Sequence, residues 1–238
     1  MVAVLCCFVS APVFPQSVRI AEVARVIDGD TLTLTSGETI RLAGINTPEM
    51  AYKSRPSEPL AVEARDALQT QVSSGWVGVE TAPQVKDRYG RTLAYLFTSD
   101  GASIQTALLR DGLASAVVIS PNDRYLEEFI WAEDTARRFD RGIWALPYYA
   151  PHPPDRVRGG YQFVHGRLSH IKIGEKWFIF SLDQKFVILV RRTDWQTYFG
   201  YSPWALDQAT IVARGWVSQK KSRATLVISH PFMLERCG

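Results

Sequence analysis

The sequence predicts a mainly β chain with added helices (α+β), arranged as two small units. Three observations carry this. Short runs rich in β-branched and aromatic residues alternate with polar turns along most of the 238 residues. Helical spacing of apolar residues occurs in only three places, all before residue 140. A stretch crowded with Pro and Gly, Pro147–Gly160, separates those helices from five further strand-like runs.

In chain order, Arg19–Leu34 is β-rich and broken by the polar turn Asp28-Gly29-Asp30. Thr39–Ile45 alternates as a further strand, and Asn46-Thr47-Pro48-Glu49 leaves it, since Pro48 donates nothing to a ladder. Ala61–Val72 places Ala64, Ala67, Leu68 and Val72 on one helical face. Val77–Glu80 and Thr92–Thr98 read as strands around the polar loop Lys86–Arg91. Ser103–Arg110 is a short helix, stopped by Gly112. Pro121–Phe139 reads as a longer one with Gly142 beyond its end.

The composition of Pro147–Gly160 favours an extended linker, which sets the expected boundaries. They are a leader over 1–16, a first domain over 17–147, a linker over 148–160 and a second domain over 161–238. The last contains strand-like runs at Tyr161–Ile173, Lys176–Leu182, Phe186–Arg192, Ala209–Val217 and Arg223–Ile228, with room for a short helix in Thr193–Asp207. Five short strands with one helix after the third is the order of a small Greek-key barrel of the oligonucleotide/oligosaccharide-binding kind. An SH3-like barrel or a small open sheet is the alternative.

Charge is uneven. Ser17–Pro147 holds 14 Lys and Arg against 18 Asp and Glu, a net of −4. Tyr148–Gly238 holds 13 against 6, a net of +7. A basic half beside an acidic one points to contact with a polyanion. Residues 2–16 are apolar and uncharged, too short to span a bilayer and similar to the core of an export signal without its basic start. That predicts a secreted or periplasmic protein, with a cytoplasmic one as the alternative. Cys6 and Cys7 fall in this leader and Cys237 stands alone, so there is no disulfide framework and no C-x-x-C metal spacing. No segment predicts a membrane span, and the expected state is a monomer.

Several polar groups suit one chemistry. Phosphodiester hydrolysis needs a hard cation, and oxygen donors such as Asp30, the Asn46 amide and a backbone carbonyl suit Ca²⁺ or Mg²⁺. It needs forked donors on the phosphoryl oxygens, which Arg41 and Arg91 supply. It needs a carboxylate near the attacking water, which Glu49 supplies. The histidines (His152, His165, His170, His230) fall in the linker and second unit and read as surface or packing residues.

In order along the chain, V-I-D-G-D-T, T-I-R-L-A-G-I-N-T-P-E, D-R-Y-G-R, L-L-R-D-G-L-A and G-I-W resemble the staphylococcal (micrococcal) nuclease family, the thermonucleases, over Val18 to Trp144. The resemblance implies a five-stranded oligonucleotide-binding barrel with three helices and Ca²⁺-dependent cleavage of DNA and RNA. It implies that Asp30 binds the metal and that Thr47 gives it a backbone carbonyl. It casts Arg41, Glu49 and Arg91 as catalytic, with Arg88 and Tyr89 touching a neighbouring phosphate. Two positions depart from the family pattern. Asn46 stands where a metal-binding Asp is expected, which predicts weaker Ca²⁺ binding. Ala114–Asn122 lacks the tyrosines expected to stack on the nucleotide, and Val117–Ile119 lie there instead.

In the second unit, Tyr161, Phe163, Trp177, Phe178 and Phe180, with Arg167, Lys172, Lys176, Arg191 and Arg192, are candidates for stacking and phosphate contact. At least half of those aromatics are expected in the barrel core. Two rivals to an active nuclease are a silent nucleic-acid-binding module and a protein-interaction or cell-envelope module that keeps only the fold.

Overall fold

The structure is a computed structural model that describes residues 17–182, 185–220 and 223–237. The leader reading, with Cys6 and Cys7, lies outside these residues. Cys237 is exposed and unpaired. No helix among the described residues is long and apolar enough to cross a membrane.

Five strands close the first barrel. They are β1 (Arg19–Asp28), β2 (Thr31–Leu34), β3 (Thr39–Leu42), β5 (Trp76–Lys86) and β6 (Thr92–Phe97), in the order β1-β2-β3-β6-β5 and back to β1. β3 and β6 run parallel and the other pairs antiparallel. Closure leaves no free edge in this sheet. The short pair β4 (Ile45–Asn46) and β7 (Ser115–Ala116) lies outside the ring. Helices α1 (Ala61–Gln71), α2 (Ile104–Arg110) and α3 (Leu126–Arg138) cover it. The Ser103 hydroxyl caps α2 by accepting from Thr106 N. Leu32, Ile40, Leu68, Val77, Leu96, Ile104 and Leu108 form a core closed to solvent.

α3 starts five residues later than its spacing predicts. Asn122 is occupied elsewhere: its amide accepts from Gln84 N at 2.7 Å and donates to Gln84 O at 3.2 Å. A register shift between Thr81 and Lys86 leaves Gln84 out of the β5–β6 ladder, and Asn122 satisfies both of its backbone groups.

The second unit contains β8 (Gly160–Arg167), β9 (His170–Ile173), β10 (Trp177–Ser181), β11 (Phe186–Arg191), helix α4 (Arg192–Tyr198), β12 (Thr210–Lys220), β13 (Arg223–Ile228) and β14 (Leu234–Arg236). β8 pairs with β12 and β9 with β10. Between them, Leu168 N donates to Ala209 O, and the next residue, Ser169, donates to Ser181 O. Strands β8 and β9 thus follow one another across Leu168 and Ser169 and bond to β12 and to β10, on opposite sides of the sheet. With β11 and β13 parallel, its strand order repeats that of the first barrel. Phe163, Phe178 and Phe180 are core, while Tyr161 and Trp177 are half-buried.

The Pro- and Gly-rich stretch is not an extended spacer. It makes single 3₁₀ turns at Pro147–Tyr149 and Pro154–Arg156 and packs on both units. The Tyr149 hydroxyl donates to Pro59 O at 2.6 Å, and His152 N donates to Phe163 O at 2.9 Å. The units also share a core: Val117 and Val118, on the first side of the seam, are buried among the apolar residues of the second. That accounts for their apolar character at a place where tyrosines are expected. Only Ile119 in this trio faces solvent.

Candidate active site

The turn between β1 and β2 carries Asp30, and the end of β3 carries Arg41. β3 then breaks at Gly44, whose φ of +83° and position against the Phe129 ring admit no side chain. The fully buried Gln105 ties this break to the barrel, with its side-chain amide donating to both Ala43 O and Ala94 O. Beyond it, β4 and the following loop bring Asn46, Thr47 and Glu49 back to the Asp30 turn. Gly29 lets the two segments meet, because a Cβ there would lie 2.7 Å from Ala64 Cβ and 2.9 Å from Thr47 Cβ.

Asp30 is the hub. Its Oδ2 accepts from Thr47 N at 3.0 Å and pairs with Arg41 Nη2 at 2.9 Å, while Oδ1 accepts from the Thr31 hydroxyl at 3.1 Å. Arg41 is buried and gives four N–H groups to the protein. Nη1 donates to Leu42 O and Ile45 O, and Nη2 to Asn46 Oδ1 and Asp30. Asn46 in turn donates through Nδ2 to Thr47 O at 3.2 Å.

Arg91 enters from the loop before β6. Its Nε pairs with Asp87 Oδ2 at 2.7 Å, and its Nη1 lies 3.5 Å from the Thr31 hydroxyl. Burial works against the charge on Asp87. The Arg91 guanidinium and the amides of Tyr89 and Arg91 outweigh it and hold that carboxyl below its usual range. Arg88 and Tyr89 project from the same loop into solvent, with the Arg88 guanidinium 4.8 Å over the Tyr89 ring.

Glu49 stands at the mouth, with its amide donating to Glu58 Oε2 at 3.0 Å. Loss of water around its carboxyl, then the charges of Asp30 and Glu58, push its pKa up against the pull of Arg41 and Arg91. Arg41, Asn46, Thr47, Glu49 and Arg91 thus lie around the Asp30 turn, and Arg88 and Tyr89 stand exposed on the loop that carries Arg91.

The sequence reading missed Asp28 as a site residue. Its Oδ1 accepts from Asp30 N at 3.0 Å. Burial, and then the charge of Asp30, push its carboxyl up to about 7. The turn and the loop beside it offer oxygen atoms only. This donor chemistry suits a hard divalent cation, which Asp30, the Asn46 amide oxygen and the Thr47 carbonyl would hold. It is a low-charge set: among the described residues there is no cluster of three or more His, Cys, Asp or Glu side chains placed for a metal.

The family model described as "Staphylococcal nuclease homologue" matches residues 39–146, from just before Arg41 to just past Trp144. The chain is 33% identical over 141 residues to a protein named Thermonuclease from Staphylococcus hyicus, covering 58% of this chain and 83% of that relative. It is 34% identical over 125 residues to the Thermonuclease of Staphylococcus intermedius, covering 51% of this chain and 74% of the relative. It is also 34% identical over 130 residues to Endonuclease YncB of Bacillus subtilis, covering 52% and 61%. The chain belongs to the staphylococcal nuclease family.

Proposed function

We propose that this protein is a Ca²⁺-dependent nuclease that hydrolyses phosphodiester bonds of DNA, RNA or both. The observation that carries the reading is the gathering of Glu49, Arg41 and Arg91 around Asp30. The relatives named Thermonuclease and Endonuclease support it.

Ca²⁺, when bound by Asp30, Asn46 and Thr47, would polarise a phosphoryl oxygen and hold water beside it. Arg91 reaches the mouth through a guanidinium fixed by Asp87, so its remaining N–H groups are aimed before substrate arrives. It neutralises charge growing on the phosphoryl group. Arg41 contributes mainly through its charge, because most of its donors already brace the loop. Glu49 accepts the proton of the attacking water. Water oxygen bonds to phosphorus, the ester bond to the departing sugar oxygen breaks, and that oxygen takes a proton from solvent to leave as a hydroxyl. Arg88 and Tyr89 take the adjoining nucleotide. The apolar residues 2–16 fit delivery outside the cytoplasm.

The test is cleavage of single-stranded DNA, double-stranded DNA and RNA by the full chain, with Ca²⁺, with Mg²⁺ and with chelator. Cleavage that needs Ca²⁺ supports the reading. Binding of nucleic acid without cleavage under any metal would leave a silent binding module in its place.

A further inference from the structure

We infer that the cleft between the loop after Glu49 and the start of the second barrel is an additional subsite for a single-stranded polynucleotide, taking one phosphate and one base beyond the cleavage position. The inference rests on the nuclease reading above and extends it past the family match to Arg158 and its neighbours.

The cleft has a volume of about 330 Å³ and is walled by Arg55 and Glu58 on one side and by Tyr148, His152, Arg158 and Gln162 on the other. That is the lower end of the range for small-molecule sites, enough for one nucleotide. It adjoins the catalytic mouth directly. Glu58 binds the Glu49 amide through Oε2 and the Tyr148 hydroxyl through Oε1, at 3.0 and 3.3 Å. A chain leaving Glu49 therefore meets this cleft next.

Its chemistry suits a nucleotide. Arg55 and Arg158 are exposed, and among the described residues neither is in an ion pair. Glu58 is the one carboxylate in the wall, and both of its oxygens are already engaged. The result is a cationic spot on the edge of an acidic unit, which a phosphodiester would neutralise. The Arg158 guanidinium lies 4.6 Å over the Tyr148 ring, and such a plane is a surface on which an unpaired base stacks. The cleft is also preorganised. The buried Gln162 amide accepts from Arg158 N at 3.0 Å and donates to Arg158 O, so both backbone groups of that residue are fixed.

The experiment compares a twelve-nucleotide and a two-nucleotide single-stranded DNA substrate on the full chain, with Arg55→Ala, Arg158→Ala and Arg158→Lys. For each Ala variant, KM for the long substrate should rise about fivefold or more, with kcat unchanged and KM for the short substrate unchanged. Arg158→Lys should restore part of the loss, since it keeps the charge without the plane. Equal effects on both substrates, or none on either, would overturn the subsite. Fluorescence anisotropy with a labelled twelve-nucleotide strand separates this from the nuclease reading. If the wild type cleaves nothing, that reading fails, yet an affinity loss of about fivefold in the Ala variants still supports the subsite. Unchanged affinity refutes it.

Discussion

Arg214 on β12 and Glu133 on α3 form an ion pair at 2.6 Å, closed to solvent, that joins the two barrels. Around it, Arg214 also reaches Glu235 at 2.7 Å, and Arg137 lies 3.2 Å from both acids. Burial opposes the Arg214 charge, but Glu133, Tyr161 and Glu235 together outweigh it and hold the guanidinium above its ordinary range. The other oxygen of Glu133 accepts from Ala116 N at 2.6 Å, and Ala116 pairs with Ile45, next to Asn46. The second barrel thus braces the strand that leads into the site. Arg214→Met leaves Glu133 buried without its main partner and should cost about 3–5 kcal/mol in denaturant unfolding. Arg214→Met combined with Glu133→Gln, which removes the stranded charge and keeps an acceptor for Ala116, should recover part of that loss. A loss below about 1 kcal/mol for the single variant would show that the pair does not hold the seam.

The Asp30 turn makes a second prediction. Gly29→Ala must push Thr47 or α1 away, since the added carbon meets Ala64 and Thr47 below 3.0 Å. Overpacking of this kind costs about 1–3 kcal/mol, and the displaced Thr47 should lower kcat by roughly tenfold or more. Thermal unfolding and steady-state cleavage read the two effects. Unchanged kcat would mean that Thr47 position does not matter.

Asn46 fixes a third. Asn46→Asp adds the negative charge that the site lacks and should tighten Ca²⁺ on the order of tenfold in a direct titration. The new carboxylate also pairs with Arg41, which now spends Nη2 on the amide oxygen at 3.3 Å. Equal Ca²⁺ affinity would place position 46 outside the metal's reach.

His230 gives a pH prediction at the seam. Its Nδ1 accepts from Phe232 N at 3.2 Å, so the neutral ring is the bound form. Burial lowers its pKa, and Asp123 opposes that weakly. A histidine with a depressed folded value gives stability that is fully present above its unfolded value, ~6.5, and is lost as pH falls below it. Melting temperature should therefore fall from pH 7 towards pH 5 more steeply in the wild type than in His230→Asn. Identical slopes would mean that His230 is not held neutral.

These residues also mark what the sequence could disclose. The Asp-Gly-Asp turn, the Arg41 strand and the Asp87–Arg91 loop are local patterns, and a period-2 alternation or a turn dipeptide reports them directly. The strands of the second unit were legible for the same reason. Glu133 and Arg214 were not, because they stand 81 residues apart and each alone reads as an ordinary solvated charge. Gln105 reads as a polar residue on a short helix, although it repairs the break in β3. Pro147–Gly160 shows how composition misleads: its prolines set local turns, while Tyr148, Tyr149 and His152 anchor those turns to both barrels. Asp28 was visible as a turn residue, but its strain with Asp30 depends on burial that only the fold creates.

The most direct test of the catalytic assignment is the single-turnover rate of Ca²⁺-dependent cleavage of single-stranded DNA by the wild type, Glu49→Gln and Arg91→Ala. The account predicts a loss of about 10²–10⁴-fold for Glu49→Gln and about 10²–10³-fold for Arg91→Ala, with both variants folded and still binding the strand. A rate within about threefold of wild type in either variant would contradict it, and the proton acceptor or the phosphate clamp would then lie elsewhere on the barrel.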